Sequence, residues 1–272
     1  MVKRRAALAN SVRDTVARAA WALPHDARRS LYRRLRPETA ALHDAMRANG
    51  LQELPGLTVS LKGADALRCI FLHIPKNGGT SVGRTLFGEY GGNHMPMGSY
   101  QIIYSREEFE SYFKFCFSRN PYDRLLSGYR FASRGATRID GNVDGQRHVR
   151  ARKPLLVSAV EGSENFEQFV LEWVDPAYAR LFEHLRPQHR FACDPSGRLA
   201  VDFVGRVENF DADFQIVCDR LGVERELMHD RKTRAAESDA ATYRDEYTPA
   251  MRKIVEKVYA KDLRLFDYSF DG

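Results

Sequence analysis

Apolar residues follow two different spacings along the chain, and the change falls near Arg68. Before it, the apolar positions between Val12 and Leu23 recur at near-helical intervals, which predicts an amphipathic helix ending before Pro24. A second break is expected near Pro37, because proline interrupts helical hydrogen bonding. The segment from Gly50 to Gly63 shows neither spacing and is expected to be a connection.

After Arg68, short apolar runs alternate with segments of helical periodicity. The runs RCIFLHI and YFKFCFSR predict buried strands, and the stretches TSVGRTLFGEY and NPYDRLLSGYRFAS predict the helices that follow them. Asn120 is expected to cap the second helix, with Pro121 at its first position, where the missing N–H has no cost. This alternation predicts an α/β fold with a central, mostly parallel sheet.

The same alternation continues towards the C-terminus. ENFEQFVLEWV predicts a helix, LAVDFVGRVE a strand, and DADFQIVCDRLGV a helix that ends at Gly222. The tail predicts a closing helix capped by Thr248, with Pro249 at its first position. The residues of that helix expected to point inward are Ile254, Val258 and Leu263.

Composition bounds the class of protein. A chain of 272 residues, 43% of them hydrophobic, is long enough for one full core with a helical appendage. It contains no apolar run of the about 20 residues that a membrane span needs, and the N-terminus lacks the apolar centre of a signal peptide. A cytoplasmic protein is therefore expected. Four scattered cysteines, without a CxxC pair or a Cys/His cluster, predict reduced thiols and no structural zinc.

Positive charge is concentrated at the N-terminus. The formal net charge is +6, and up to Arg36 ten Lys or Arg residues stand against two acids, Asp14 and Asp26. One interpretation is a solvated helical arm packed on the domain. Another is peripheral contact with an anionic membrane surface or glycolipid, at the inner face of the membrane. Nucleic acid is not an expected partner, because the segment lacks the interleaved aromatic residues of a base-stacking surface.

The loop after the first predicted strand has the chemistry of an anion site. Gly78 and Gly79, followed by Thr80 and Ser81 at a helix start, present backbone N–H groups and a positive dipole end. Phosphate or sulfate suits such a loop. Lys76 precedes the glycines, whereas the lysine of a Walker A loop follows them. No Walker B aspartate is apparent either, since Asp202 is not the terminal acid of an apolar run.

Two motifs together carry a family resemblance. FLHIPKNGGTSV resembles the 5′-phosphosulfate loop, and FKFCFSRNPYDRLLSGYRF resembles the 3′-phosphate motif, of sulfotransferases that use 3′-phosphoadenosine-5′-phosphosulfate (PAPS). The chain is most similar to the carbohydrate sulfotransferases of the HNK-1, chondroitin and heparan types and their bacterial relatives. The similarity extends from Arg68 to the C-terminus through LRPQ, VDFVGRVENFDADF and YAKDLRLFDYSF. Asn77 departs from the more usual threonine.

The resemblance implies a fold, a reaction and a set of binding residues. The fold is a three-layer arrangement like that of P-loop NTPases over residues 61 to 272, preceded by a basic helical extension over residues 1 to 60. The reaction is in-line transfer of a sulfuryl group from PAPS to a hydroxyl, with no metal expected. The implied donor site consists of Pro75, Lys76, Asn77, Gly78, Gly79, Thr80, Ser81, Arg119, Ser127 and Arg206. Within it, Lys76 stabilises the departing phosphate oxygen, whereas Arg119 and Ser127 hold the 3′-phosphate.

The resemblance also implies a catalytic base. His94 lies where the resembling enzymes often carry a histidine that faces the acceptor, and an imidazole suits proton removal near neutral pH. His73 is expected to be a core histidine. Arg124 and Arg130 compete with Arg119 for the 3′-phosphate, but their spacing lets them lie on the outer face of the helix, where surface charge is the favoured interpretation. The reserve candidates for the base are Glu89, Glu107, Glu108 and His148.

Several residues near the predicted site have two possible roles. Arg206 and Glu208 follow the third strand and either reach the site at the carboxyl ends of the strands or form a salt bridge that pins the turn. Gln188 and Arg186 are open between substrate contact and scaffold. A long polar loop from Gly135 to Lys153 is expected to border the acceptor groove. Its arginines, together with the residue that precedes it, are Arg134, Arg138, Arg147, Arg150 and Arg152.

The expected acceptor is a carbohydrate or a glycolipid, and the residues do not specify which hydroxyl is sulfated. Two other functions are weighed against sulfotransfer. A nucleotide kinase or NTPase would require magnesium and ATP, and the lysine-first loop argues against it. A non-catalytic protein that binds anionic glycans would use the same fold without turnover. The oligomeric state is not predicted.

Overall fold

The computed structural model describes residues 19 to 49, 60 to 88, 94 to 134, 155 to 228 and 243 to 272. Contacts divide the chain into two compact units. The first unit comprises Met1–Arg119 and Gln188–Ser238, and the second comprises Asn120–Pro187 and Asp239–Gly272. The sheet lies in the first unit, and the second is built from helices and turns in its described part.

The elements follow one another in the alternating order that the sequence predicts. The strands are β1 (Cys69–Leu72), β2 (Phe113–Ser118) and β3 (Phe203–Arg206). The helices up to Ser133 are α1 (His25–Leu35), α2 (Pro37–Ala48), α3 (Lys62–Ala66), α4 (Gly79–Phe87), α5 (Met97–Ile103), α6 (Arg106–Ser111) and α7 (Pro121–Ser133). The later helices are α8 (Leu155–Glu161), α9 (Phe166–Trp173), α10 (Tyr178–Leu181), α11 (His189–Ala192), α12 (Phe210–Leu221), α13 (Pro249–Val258) and α14 (Ala260–Leu265).

The sheet confirms the predicted α/β class. Its strands lie in the order β1, β2, β3, and both pairs are parallel. Leu72 pairs with Cys116, and Ser118 pairs with Arg206. Because the strands are parallel, their carboxyl ends lie at one edge of the sheet. The turns that follow the strands therefore begin at that edge.

Aromatic residues and the apolar faces of α4 and α12 form the core against the sheet. Phe71, Phe115 and Phe117 are almost fully buried and pack in sequence, with ring centroids 5.1 Å apart for the first pair and 6.5 Å for the second. Val82 of α4 and Phe214 of α12 belong to the same buried cluster. Burial of each such side chain contributes about 1.5–3 kcal/mol to stability. This core holds the starts of both helices close to the ends of the strands.

The described part of the basic N-terminal segment packs on the first unit. The predicted breaks at Pro24 and Pro37 are confirmed, since α1 follows the first proline and α2 begins at the second. Arg28 donates to Gln101 at 2.9 Å, and Arg33 forms an ion pair with Asp44 at 2.6 Å. These contacts agree with the packed-arm interpretation for this part of the segment. The predicted helix around Val16 lies mostly outside the described residues.

The second unit has its own core around α7, α9 and α13. The predicted caps at Thr248 and Pro249 are confirmed, but the single closing helix is not. The chain forms α13 and α14 instead, interrupted at Tyr259, whose buried hydroxyl donates to the Leu185 carbonyl at 2.8 Å. Holding this residue in the core changes the inward face. The residues of α13 that are buried are Met251, Val255 and Val258, whereas Ile254 and Leu263 are only half-buried.

The four cysteines lie in the described part of the chain. All four lie buried with free thiols, and burial raises the pKa of Cys69 and Cys116 to about 12. Within the described ranges, no helix has the length and apolar character that a bilayer crossing requires. In the same residues, no three His, Cys, Asp or Glu side chains are grouped in a way that suits a metal ion.

Candidate functional site

Basic residues follow all three strand ends in the first unit. Lys76 comes shortly after β1, Arg119 directly follows β2, and Arg206 is the last residue of β3. The parallel register places these ends at the same edge of the sheet. All three residues are half-buried. This edge therefore concentrates positive charge where ligands bind in open α/β folds.

The loop after β1 has an unusual backbone. Lys76 has a φ of 71°, in the left-handed region, and Gly78 has a φ of 73°. A non-glycine residue in this region costs about 1–2 kcal/mol, and such strain is concentrated at functional sites. Gly78 occupies the N-cap position of α4 and has no side chain with which to cap it. The first N–H groups of α4 are consequently suited to an anionic ligand.

Two rings pack against the glycines of this loop. A methyl group added at Gly78 would overlap the ring of Phe210, and one added at Gly79 would overlap the imidazole of His73. Phe210 in turn meets Phe117 edge-to-face, with centroids 4.9 Å apart. Glycine is thus required at both positions for space, and at Gly78 also for its φ. Phe210, which the sequence did not single out, forms one wall of the loop.

Buried amide groups join the loop to the end of β2. The side chain of Gln188, which is fully buried, accepts from the Arg119 backbone N–H at 3.0 Å and donates to the Arg119 carbonyl at 2.8 Å. Asn77 donates through Nδ2 to the Phe117 carbonyl at 2.6 Å and to Gln188 Oε1 at 2.7 Å. Of the two interpretations of Gln188, the scaffold one is favoured by this complete burial.

The arginine after β2 reaches back to the lysine loop. Its Nη1 donates to the Lys76 carbonyl at 3.2 Å. Arg206, one strand further, is anchored through its backbone N–H, which donates to Asp213 Oδ2 at 2.6 Å. Both guanidinium groups are thus carried on backbone that is held by hydrogen bonds. Such support reduces the conformational entropy lost when a side chain binds an anion.

Two histidines lie beside the loop. The expectation that His73 is a core residue is wrong, because β1 ends at Leu72 and His73 is half-buried in the turn beyond it. Its ring stacks on Phe71 with centroids 5.8 Å apart and meets His94 edge-to-face at 4.7 Å. Through this contact the structure places His94 next to the residue that covers Gly79. The predicted run RCIFLHI extends two residues beyond the end of the strand that forms.

The reserve candidates for a base differ in their surroundings. Glu108 pairs with Arg47 at 2.7 Å and completes a capping box with Ser105 at the start of α6. The Arg47 hydrogen bond is the largest cause that lowers the pKa of Glu108 to about 2, which makes this carboxylate a weak base. Glu107 is exposed in the first turn of the same helix. Glu89 and His148 lie outside the described residues.

The second unit holds the other residues of the 3′-phosphate motif. Ser127 is 8% exposed on α7, and its binding role stays a prediction. Arg124 was expected on the surface, but it is 2% exposed because the helix face that carries it packs inward, and its Nη1 donates to the Arg186 carbonyl at 3.0 Å. Arg130 pairs with Glu246 at 2.9 Å and is partly exposed.

Of the predicted acceptor-loop arginines, the structure describes one. Arg134 is exposed just after α7, and the others lie outside the described residues. Pro75, Thr80 and Ser81 complete the loop, with the first and last of them buried. The sequence named Gln188 but left its role open, and it did not single out Phe210. The LRPQ motif was the available signal for Gln188, whereas Phe210 needed the tertiary contact with Gly78.

The site thus combines a parallel sheet with three cationic strand ends, a glycine turn and a helix start without a side-chain cap, an arrangement that suits an anionic ligand in α/β proteins. A sequence model of the sulfotransferase family matches residues 64–269. The chain belongs to that family.

Curated relatives sharpen the family without specifying this chain's substrate. Carbohydrate sulfotransferase 11 of Mus musculus is 26% identical over 187 residues, which are 65% of this chain and 53% of the relative. Human carbohydrate sulfotransferase 14 is 34% identical over 109 residues, 40% of this chain and 28% of the relative. The chain thus spans about half the length of the former. No solved structure is significantly similar to it.

Proposed function

We propose that this protein transfers the sulfuryl group of PAPS to a hydroxyl group of a carbohydrate acceptor. The observation that carries the proposal is the lysine-first glycine loop at the end of β1, bound through the Lys76 carbonyl to Arg119 at the end of β2. It occurs in a chain that belongs to the sulfotransferase family. The names of the curated relatives support a carbohydrate as the acceptor.

The residues of the loop fit a 5′-phosphosulfate. Backbone N–H groups at the start of α4 and the hydroxyl groups of Thr80 and Ser81 are donors for its oxygens. Arg119 supplies a guanidinium fork for the 3′-phosphate, which it can bind bidentately. Arg206 adds charge at the same edge of the sheet. Holding both ends of the donor aligns sulfur with the acceptor.

The transfer step forms one bond and breaks another. The acceptor oxygen forms a bond with sulfur, while the bond between sulfur and the bridging phosphate oxygen breaks. Adenosine 3′,5′-bisphosphate leaves with the negative charge of that bridging oxygen. Lys76 stabilises this charge with its ammonium group, in a loop whose position is already set before reaction. The left-handed backbone conformation of Lys76 is strained, and we propose that the protein retains this strain because it places the ammonium group.

The acceptor hydroxyl needs a base, and His94 takes that role. Its imidazole accepts the hydroxyl proton as the new bond forms. Its ring packs against His73, which lies over Gly79, so His94 is held beside the loop that binds the phosphosulfate. Glu108 is a poor alternative because its ion pair with Arg47 stabilises the charged form.

The kinase alternative is disfavoured by the position of Asp202. This residue precedes β3, at the amino ends of the strands, whereas the lysine loop lies at the carboxyl ends. Its carboxylate accepts from the Lys114 N–H at 2.7 Å and pairs with Lys114 Nζ at 3.0 Å. Asp202 therefore ties β3 to β2 and does not serve the loop. A Walker-type acid would have to lie at the opposite edge.

Calorimetric titration tests the donor site. We expect adenosine 3′,5′-bisphosphate to bind the wild type more tightly than ATP with magnesium, and Arg119→Ala to weaken the bisphosphate by about 100-fold. Arg130→Ala is the control, since this arginine is partly exposed and paired with Glu246. Acceptors are then screened with labelled PAPS. Tighter binding of ATP with magnesium, or no binding of either nucleotide, would overturn the proposed function.

A further inference from the structure

We propose that Asn77 and Gln188 set the spacing between the lysine loop and Arg119, and so select a nucleotide that carries two separated anionic groups. The inference rests on the proposed donor site. Neither side chain is placed to contact the nucleotide: Gln188 is fully buried and Asn77 is 2% exposed. Both are positioning residues, which act through the two cations that they hold.

Gln188 replaces a missing strand neighbour for Arg119. The ladder between β2 and β3 ends at the pair Ser118 and Arg206, one residue before Arg119. Beyond that point, the single amide of Gln188 binds both the N–H and the carbonyl of Arg119, at 3.0 and 2.8 Å. This is the pairing that a neighbouring peptide group would otherwise provide. The backbone that carries the guanidinium is therefore held beyond the end of the sheet.

Asn77 connects that support to the loop. Its Nδ2 donates at 2.6 Å to the carbonyl of Phe117 and at 2.7 Å to Gln188 Oε1. Its backbone N–H donates to the Ile74 carbonyl at 3.3 Å. Its Oδ1 is buried without a hydrogen-bond partner in the described part of the chain. The amide is thus placed for its two donated bonds, both of which join the loop to the β2 end.

These hydrogen bonds link the two residues proposed to bind the anionic groups, Lys76 and Arg119, which are called the anchors below. Asn77 neighbours Lys76 in sequence and binds the β2 end, and Arg119 at that end donates to the Lys76 carbonyl at 3.2 Å. With Gln188 bridging Asn77 and Arg119, the loop and the strand end are joined at three points. Because the backbones that carry the two cations are joined, a ligand that reaches both cations meets a spacing that is largely set in advance. Preorganisation of this kind favours a ligand with two anions far more than a ligand with one.

The test compares one ligand that reaches both anchors with two that reach one each. Binding of adenosine 3′,5′-bisphosphate, adenosine 5′-monophosphate and adenosine 3′-monophosphate is measured for the wild type and Gln188→Met, with weak ligands measured by competition. We expect the variant to bind the bisphosphate about tenfold more weakly, and each monophosphate less than about threefold more weakly. The preference for the bisphosphate over the tighter monophosphate is the quantity that reports spacing.

A matched control distinguishes a change in the spacing of the two cations from the general effect of removing a buried glutamine amide. Gln101 is also a buried glutamine of the first unit, hydrogen-bonded to Arg28 of α1. Gln101→Met is expected to leave the bisphosphate preference unchanged, whatever it does to the melting temperature. Asn77→Ala supplies a second variant that keeps Gln188 in place and is expected to reduce the preference in the same direction.

The outcomes distinguish the two proposals. If the wild type does not bind the bisphosphate, the proposed function and this inference both fail. If the wild type binds it and both variants keep the wild-type preference, or lose affinity for all three nucleotides by one factor, only the spacing role is overturned. A reduced preference in Gln188→Met and Asn77→Ala, with Gln101→Met unchanged, supports it.

Discussion

The two strand-to-helix turns that carry the sulfotransferase motifs are built in opposite ways. After β1, the chain turns through left-handed backbone at Lys76 and Gly78, and α4 begins at a glycine that cannot cap it. At the start of α7, Asn120 Oδ1 accepts from the Tyr122 N–H at 3.1 Å, and Pro121 occupies the first helical position. One helix start therefore has no side-chain cap, and the other is capped by the side chain of Asn120.

This difference divides the work between the motifs. A helix start with unsatisfied N–H groups binds an anion through the backbone, whereas a capped start has few donors left to offer. The first turn is therefore suited to enclosing a phosphosulfate, and the second motif has to bind through side chains. Arg119, which precedes the capped helix and has its backbone held by Gln188, meets that need.

The largest expected effect comes from removing the charge of the open turn. We expect Lys76→Ala to lower the turnover number by about 100- to 1000-fold, because the departing oxygen loses its cation in the transition state. Binding of the bisphosphate should fall by much less. Turnover is measured with labelled PAPS and the best acceptor from a carbohydrate panel.

Lys62→Ala is the control for Lys76→Ala, since Lys62 is an exposed lysine of the same unit on α3. Turnover close to wild type in Lys76→Ala would remove the lysine from the mechanism. The loop would then be a binding element only, and the contrast between the two turns would lose its catalytic meaning.

Filling the open turn should have the next largest effect. Gly78→Ala places a methyl group against Phe210 at a φ of 73°, whereas Gly88→Ala meets a similar φ of 70° in open space. We expect about 1 kcal/mol of destabilisation at Gly88 from the left-handed backbone alone. At Gly78 we expect about 2 kcal/mol, because the ring must also move.

Urea unfolding and bisphosphate titration measure both alanine variants. Gly78→Ala should also weaken the bisphosphate by about tenfold, since the loop that presents the N–H groups is displaced. Gly88→Ala should leave binding unchanged. Equal losses of stability and equal affinities in the two variants would show that Phe210 does not shape the loop.

Removing the cap of the second turn should lower the stability of the protein without weakening the binding of an anion by the backbone of the first turn. Asn120→Ala removes the acceptor for Tyr122 and the donor that reaches the Ser269 carbonyl at 2.8 Å. We expect a loss of about 1–2 kcal/mol in the free energy of unfolding. Thr248→Ala, which removes the cap of α13, should cost about 1 kcal/mol and serves as the reference.

The affinity of the Asn120→Ala variant for adenosine 5′-monophosphate tests whether the two turns act independently. That ligand is proposed to bind the open turn, so its affinity should stay within about twofold of wild type. A large loss of 5′-monophosphate binding on removal of the cap would mean that the capped helix start supports the open loop directly. The division of roles between the turns would then be wrong.

The sequence predicted most where the determinants are local. Asn120 and Thr248 cap helices and Pro121 occupies a first helical position, as expected, because these preferences depend on residues within one turn of each other. The positions of β1 and β2 were also indicated, since each strand lies within a predominantly apolar run. The α/β class followed from their alternation with helices.

The sequence was a poorer guide where a side chain's partner is distant along the chain. His73 was expected in the core and is half-buried, whereas Arg124 was expected on the surface and is buried. Their burial depends on contacts with distant residues, among them His94 and the Arg186 carbonyl. Gln188 lies 69 positions from Arg119, and only the fold brings them together. For this site, the glycine loop could be predicted from the sequence, but the buried hydrogen bonds that hold it could not.

The smallest effect isolates backbone strain from charge in the open turn. Lys76→Gly and Lys76→Ala remove the same ammonium group, so both should lose turnover to the same extent. They differ at a φ of 71°, where alanine is strained by about 1–2 kcal/mol and glycine is not, while glycine costs about 0.5–1 kcal/mol in the entropy of the unfolded chain. We therefore expect Lys76→Gly to be more stable than Lys76→Ala by about 0.5–1 kcal/mol in urea unfolding. If alanine were as stable as glycine, the left-handed conformation would impose no strain on the free protein. The lysine side chain would then occupy its position without the energetic cost that distinguishes the open turn from the capped one.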